Sequence, residues 1–73
     1  MLIETLSFED ASVEIEQAWK EYVRSCGNMP HHEVIDRKNS VYALARRWAH
    51  GFPSRKKKVN ELLDRLTVES FGG

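Results

Sequence analysis

The sequence predicts an all-α fold, a small three-helix bundle preceded by a short extended N-terminal lead. Apolar residues recur at steps of three and four along three segments, and glycine or proline separates these segments. Strict alternation of apolar and polar residues, the pattern of a half-buried strand, is weak outside the N-terminus. We expect residues 1–73 to form a single helical domain.

The first helix is predicted to follow the lead of residues 1–6, which either forms a brief strand or simply covers the core. Ser7 is a good N-cap, and Glu9 and Asp10 fall in the first turn, where the helix dipole favours acids. Gly27 is a typical residue to end the helix. Its apolar stripe consists of Phe8, Ala11, Ile15, Ala18, Trp19, Tyr22 and Cys26.

Two more helices are predicted after Pro30, which restarts the chain. Asn39–Ser40 is a candidate break that would divide the middle helix into two shorter ones. The stretch 51–53 ends the middle helix, and Ser54 is a candidate N-cap for the third. Residues 67–73 are expected to fray, with docking of Val68 or Phe71 as the alternative. The predicted core positions are Val34, Val41, Ala45 and Trp48 in the middle helix, and Val59, Leu62, Leu63 and Leu66 in the third.

Composition indicates the cellular compartment in which this protein works. The chain has 73 residues and a single cysteine, Cys26, so it cannot form an internal disulfide. This is typical of a protein from a reducing compartment. The N-terminus lacks a basic segment, and no apolar run approaches the roughly 18 residues of a membrane span. We therefore expect a cytoplasmic protein with no membrane partner.

Charge is divided between the two halves of the chain, although the formal net charge is zero. Residues 1–36 hold eight acids and two bases, and residues 37–73 hold nine bases and three acids. Such an asymmetry indicates an interaction surface, unless the two halves simply neutralise each other in the fold. Acid/base-polarised helical chains of this size resemble accessory or regulatory proteins of phages and plasmids, which is an analogy only.

The densest basic stretch lies at the junction between the second and third helices. Cations in the first turn of a helix oppose its dipole, so stability alone does not explain them. Free backbone N–H groups at the same helix start favour a bound anion. Our leading hypothesis is therefore a non-enzymatic regulatory protein that binds an anionic macromolecule, nucleic acid first, through a basic helix–turn–helix junction. The binding residues would be Arg46, Arg47, Arg55, Lys56, Lys57 and Lys58.

The alternative is a protein-interaction module that modulates or inhibits a partner through a charged helical face. Convergence of the six cations on one exposed surface would favour nucleic acid, whereas their dispersal or pairing with acids would favour the alternative. A homodimer is also expected, because three apolar stripes exceed what one small bundle can bury. The alternative partner-binding face consists of Glu9, Asp10, Glu14, Glu16 and Glu21.

No catalytic, cofactor or metal signature stands out. Cys26 with His31 and His32 lacks the paired spacing of a zinc site. A chain this short has little room for a substrate pocket, and it contains no glycine-rich phosphate-binding motif. We therefore predict no enzyme activity, no cofactor and no metal.

Phe52 lies among the basic residues of the junction between the second and third helices. There it either plugs the end of the bundle, as we expect, or anchors a partner.

Overall fold

The computed structural model describes residues 2–72, which form one 3₁₀ turn and three α-helices and contain no β-strand. The turn spans Ile3–Thr5, α1 spans Phe8–Ser25, α2 spans His31–Ala49 and α3 spans Pro53–Phe71. The helix α1 packs against α2, and α3 packs against both. The predicted all-α three-helix bundle is confirmed.

The N-terminal lead is a 3₁₀ turn and not the extended segment that we predicted. The N–H of Thr5 donates to the carbonyl of Leu2 at 3.1 Å, and the N–H of Leu6 donates to that of Ile3 at 3.1 Å. Ile3 is buried against the core, so its main chain needs hydrogen-bond partners, and no neighbouring strand supplies them. A single turn satisfies these groups locally, and the lead covers the core as the sequence indicated.

Both ends of α1 are as predicted. The Oγ of Ser7 accepts a hydrogen bond from the N–H of Asp10 at 3.3 Å. At the other end Gly27 adopts a φ of +82°, the left-handed conformation that reverses the chain after a helix. The buried stripe of α1 differs from the predicted one at its last position, where Ser25 is fully buried and Cys26 only half-buried. Ser25 tolerates burial because its hydroxyl donates to the carbonyl of Tyr22 at 2.6 Å.

The middle helix, α2, is continuous, and the predicted break at Asn39–Ser40 is wrong. Both residues are exposed, so neither disturbs the buried stripe. The hydroxyl of Ser40 donates to the carbonyl of Asp36 at 3.0 Å, four residues earlier. That bond satisfies the side chain without opening the helix, because the serine bonds to a carbonyl of the preceding turn.

The third helix begins two residues earlier than we predicted. Phe52 holds the N-cap position, Pro53 is the first helical residue, and Ser54 makes no capping hydrogen bond. Proline is well suited to this position because its missing N–H would have no partner there and its φ is already helical. The α3 residues that enter the core are the four that the sequence predicted.

The C-terminal segment is helical and docked up to Phe71, so the expected fraying is wrong for residues 67–71. The hydroxyl of Ser70 accepts a hydrogen bond from the indole N–H of Trp19 at 2.8 Å. The Phe71 ring packs edge-on against Trp19 and Tyr22, with ring centroids 6.0 and 6.1 Å apart. Gly73 lies outside the described residues.

The Trp48 side chain joins the N-terminal turn and the three helices. Its indole N–H donates to the carbonyl of Leu6 at 2.9 Å, and its ring lies 5.6 Å from that of Phe8. The guanidinium of Arg55 stacks over the indole at 4.6 Å. The Nη1 of Arg55 also donates to the carbonyls of Trp48 and Glu4, at 3.0 and 3.1 Å. Arg55 therefore holds α3 to both α2 and the N-terminal turn.

One core contains the buried apolar residues of all four elements. Among residues 2–72, every buried side-chain nitrogen and oxygen has a hydrogen-bond partner. In the same part of the chain, no helix combines the length and apolar character needed to cross a bilayer. The core residues are Ile3, Ala11, Ile15, Trp19, Val41, Ala45, Trp48, Ala49, Val59, Leu62, Leu63 and Leu66.

We predict that Arg55→Ala lowers the free energy of unfolding by about 2 kcal/mol, because it removes charge-assisted hydrogen bonds and a cation–π contact. Arg55→Lys should restore only part of this loss, since an ammonium group cannot bond both carbonyls and stack flat on Trp48. Urea unfolding followed by tryptophan fluorescence measures the effect. The matched control, Lys57→Ala, should change stability by less than about 0.5 kcal/mol. Equal effects of the two alanine variants would contradict the role given to Arg55.

We also predict that Ser70→Ala lowers the free energy of unfolding by about 1 kcal/mol, because the indole N–H of Trp19 loses its partner. Ser54→Ala is the control, since Ser54 is exposed and makes no capping bond. Hydrogen exchange of the last amides of α3 should accelerate in Ser70→Ala and not in Ser54→Ala. Unchanged exchange in both variants would show that the last turn does not depend on this bond.

Candidate anion-binding surface

The junction between α2 and α3 is a tight reversal at Gly51 and Phe52. Gly51 has a φ of +79°, which favours glycine, and the N–H of Phe52 donates to the carbonyl of Ala49 at 3.0 Å. The N–H groups of Arg55 and Lys56 both donate to the Phe52 carbonyl, at 3.0 and 3.1 Å. Proline supplies no N–H at the first helical position. The start of α3 therefore offers fewer free backbone donors than predicted, and any anion site here must be built from side chains.

Two of the six predicted cations are engaged within the fold. Arg55 is half-buried and bonded to backbone carbonyls and to Trp48, so its guanidinium is not available as a surface cation. A planar cation is also the best partner for an aromatic face, and the role of Arg55 in binding stays a prediction that these internal contacts make less favourable. Arg47 is exposed, and its Nε lies 3.5 Å from a carboxylate oxygen of Glu4.

The three lysines of α3 do not share one surface. Two residues turn a helix by about 200°, so Lys56 and Lys58 lie on nearly opposite sides of α3. The Nζ of Lys58 lies 5.5 Å from the Phe8 ring centroid, on the side of α1. Lys56 lies on the side of α2, opposite Arg46, and Lys57 is exposed between the two other lysines. The predicted convergence of all six cations is therefore not observed, and Arg46 with Lys56 is the pair that faces a shared space.

That space is a groove between α2 and α3 with a volume of about 470 Å³, which we call the cationic groove. Buried apolar side chains form its floor and cationic or polar ones its rim. Neither Arg46 nor Lys56 has an ion-pair partner among residues 2–72, and no carboxylate lines the groove. The lining residues are Tyr42, Ala45, Arg46, Ala49, His50, Lys56, Val59, Asn60 and Leu63.

A shallower cleft of about 400 Å³ adjoins the cationic groove and shares Arg46 and His50 with it. We call it the Phe52 cleft; its other lining residues are Glu4, Ala43, Arg47 and Phe52. Phe52 is 51% exposed, so it does not plug the bundle as we expected. The Arg55 guanidinium, 4.5 Å from the ring centroid, holds it in place. The second option, an aromatic side chain available to a partner, is the one consistent with the geometry.

The predicted acidic face is also divided. Glu16 bonds Arg65 of α3, with Oε1 and Nη2 2.6 Å apart. Asp10 and Glu14 instead line a cleft of about 490 Å³ beside α2, and Glu21 lies further along the same side of α1. Glu9 is exposed and lines none of these clefts. Helical rotation separates the five acids, because positions four apart share a side of the helix and positions two apart do not.

Three residues of the cationic groove were not predicted as binding residues. They are Tyr42, which is 38% exposed, His50 and Asn60. The spacing of Tyr42 and Arg46, four residues apart on α2, was the available signal. The spacing could not show that α3 leaves this side of α2 partly uncovered, because that depends on how the helices cross.

The cysteine and histidines do not form a metal site in the described part of the chain. Cys26 is half-buried with its thiol 3.5 Å from the Tyr22 carbonyl, and His31 and His32 are exposed at the start of α2. Within residues 2–72, no three His, Cys, Asp or Glu side chains are grouped closely enough to hold an ion. Burial raises the pKa of the Tyr22 phenol, and negative charge on Cys26 would raise it further. Tyr22 therefore remains a neutral hydroxyl at neutral pH.

Comparison of the chain with protein-family models, with curated proteins and with solved structures finds no match. The arrangement of its own side chains is therefore the basis for a proposal about its function.

Proposed function

We propose that this protein is a non-enzymatic regulatory module that binds an acidic, partly apolar segment of a partner protein in the cationic groove. The observation that carries the proposal is the lining of that groove. Its floor is apolar, and among residues 2–72 Arg46 and Lys56 on its rim have no ion-pair partner and no carboxylate lines it. A partner segment that presents apolar side chains beside carboxylates would complement both parts.

The floor would contribute the shape of the site more than buried area, because its four apolar residues are at most 8% exposed, and most of the apolar area covered on binding would come from the partner. Ala45 and Ala49 are small, so a partner side chain can approach the α2 backbone closely, and Val59 and Leu63 provide the apolar wall on α3. Burial of apolar area contributes about 25 cal/mol per Å² before the entropy of association is subtracted. A groove of about 470 Å³ has room for a few side chains and not for a whole domain. The part of the partner that enters the groove is therefore a short segment or one face of a helix.

The rim would supply orientation and partner selection. Arg46 and Lys56 lie on opposite walls, so carboxylates on the two sides of one segment could each meet a cation. Such pairing speeds encounter and rejects basic segments through like-charge repulsion. Phe52, exposed in the adjoining cleft, offers an aromatic contact at one end of the same surface.

The same geometry gives less support to our leading hypothesis of nucleic-acid binding. Affinity for a phosphate backbone rises with the number of phosphates that cations neutralise together. Here Arg55 is internal, Arg47 is paired with Glu4, and Lys58 lies on the far side of α3 from Lys56. The formal net charge of zero also differs from that of most small nucleic-acid binders. DNA and RNA binding is therefore an outcome to be tested beside peptide binding.

The cellular setting belongs to the same proposal. Cys26 is a free, half-buried thiol, which is compatible with a reducing, cytoplasmic location. A small chain that binds a segment of a larger protein acts by occupying it, which suits a regulatory or accessory role such as those of phage and plasmid proteins.

We predict that selection from a random peptide display library enriches acidic peptides that contain apolar residues. Lys56→Glu and Arg46→Glu should each weaken an enriched peptide about 10-fold or more, because each places a carboxylate beside those of the peptide. Fluorescence anisotropy of the labelled peptide measures the affinity. Lys57→Glu is the matched control, since it makes the same charge change one residue outside the groove. Acids at the start of α3 suit the helix dipole, so neither α3 variant should lose stability.

Two results would contradict the proposal. One is the absence of enriched peptides, and the other is peptides that bind the Lys56→Glu and Lys57→Glu variants equally well. Labelled duplex DNA and single-stranded RNA, tested at low salt, form the second arm. A mobility shift that Lys56→Ala, Lys57→Ala and Lys58→Ala each weaken would restore the nucleic-acid hypothesis, because backbone binding depends on all three lysines.

A further inference from the structure

We infer that a second copy of this chain occupies the cationic groove, through the outer face of its α1 helix. The contact would join unlike surfaces and so produce head-to-tail assemblies. This inference rests on the proposed function, since it fills the same groove, and it names an occupant. We call that outer face the acidic ridge, which consists of Asp10, Val13, Glu14 and Gln17.

The acidic ridge has the chemistry that the groove requires. Asp10, Val13, Glu14 and Gln17 are all exposed, and their spacing of i, i+3, i+4 and i+7 places them on one face of α1. This is the spacing with which a helix inserts into a groove on another protein. Val13 is 50% exposed although it is a valine on a rigid helix. The apolar floor of the groove would contact Val13, and the cations of its rim would contact the carboxylates of Asp10 and Glu14.

Within one molecule, no cation among residues 2–72 pairs with the carboxylates of the acidic ridge. Neither Asp10 nor Glu14 has an ion-pair partner among residues 2–72, whereas Glu16 on the other side of α1 is bonded to Arg65. The cleft that Asp10 and Glu14 line holds Arg47, which is paired with Glu4. The next cleft along α1, lined by Glu14 and Gln17, holds Lys20 and Arg24, neither of which forms an ion pair with the ridge among residues 2–72. The carboxylates of the ridge are therefore available to cations from another molecule.

The ridge and the groove cannot meet within one molecule. The groove lies between α2 and α3, whereas the ridge lies on the face of α1 opposite the buried stripe of Ala11, Ile15 and Trp19. Contact between unlike surfaces is heterologous, so each added copy presents a new free ridge and a new free groove. Assembly then grows with protein concentration unless the contact angle closes a ring.

Charge makes this contact favourable for a chain whose total charge is zero. The acidic excess of residues 1–36 and the basic excess of residues 37–73 place opposite signs on the two contacting surfaces. Exposed charges are screened over about 8 Å at physiological ionic strength, so association should weaken as salt is added. The apolar contact of Val13 should leave part of the association at high salt.

The test is sedimentation velocity of the full chain at low salt, from micromolar to millimolar concentration. The wild-type protein should show a sedimentation coefficient that rises with concentration. Glu14→Lys and Lys56→Glu should each weaken association about 10-fold or more, since each places like charges opposite one another. The double variant Glu14→Lys/Lys56→Glu should associate to within about threefold of wild type, because the exchanged charges again attract.

Matched controls keep the test specific to these surfaces. Glu9→Lys and Lys57→Glu make the same charge changes on the same helices outside the ridge and the groove, and they should leave association unchanged. A wild-type protein that stays monomeric overturns the inference. So does a double variant that fails to restore association, because the two residues then do not face each other.

Failure of this inference can be separated from failure of the proposed function. Glu14→Lys leaves the cationic groove intact, so it should bind the enriched acidic peptide at least as tightly as wild type. Peptide binding by a wild-type protein that remains monomeric overturns self-association alone. Loss of both peptide binding and self-association overturns the inference and the proposed function together.

Discussion

The indole of Trp48 is the point at which the N-terminal turn and the three helices meet. It donates to the Leu6 carbonyl, packs against Phe8 of α1, and lies under the Arg55 guanidinium of α3. The small apolar core of residues 2–72 has little surplus stability, so a side chain that contacts the N-terminal segment, α1 and α3 matters greatly. The placement of α3 at this end of the bundle depends on it, and so does the shape of the groove that α3 forms with α2.

Arg55 shows why a run of basic residues is an unreliable guide to a binding surface. It follows Pro53 and Ser54 and precedes three lysines, so its position in the sequence resembles theirs. Its environment differs because the helical rotation of α3 directs it toward Trp48, where a flat guanidinium both stacks and donates. Lysines at the neighbouring positions point elsewhere. A single turn of helix thus separates a cation that holds the fold together from cations that face the solvent.

The candidate surface arises from what α2 leaves uncovered. Ala45 and Ala49 are too small to fill the space beside α3, and Tyr42 and Arg46 project along the same side of α2. This combination leaves an apolar floor under a cationic rim. On α1, beside a different cleft, Val13 with Asp10 and Glu14 is the converse, an exposed apolar residue among carboxylates. The division of charge along the chain therefore becomes two complementary surfaces, although seven of the eleven cations and acids first assigned to them lie elsewhere.

Periodicity, capping residues and punctuation by glycine and proline determined the three helices, most of their core positions and the Ser7 cap. These features follow from local backbone geometry and from which face of a helix is apolar, so they can be read from spacing alone. Two features were decided only by the tertiary structure: the docking of Phe71 and the division of the six cations. Each depends on a contact between residues far apart in sequence, or on the crossing of two helices. The sequence determined that cations would gather near the α2–α3 junction, whereas packing around Trp48 decided that Arg46 and Lys56 would face each other and Arg55 would not join them.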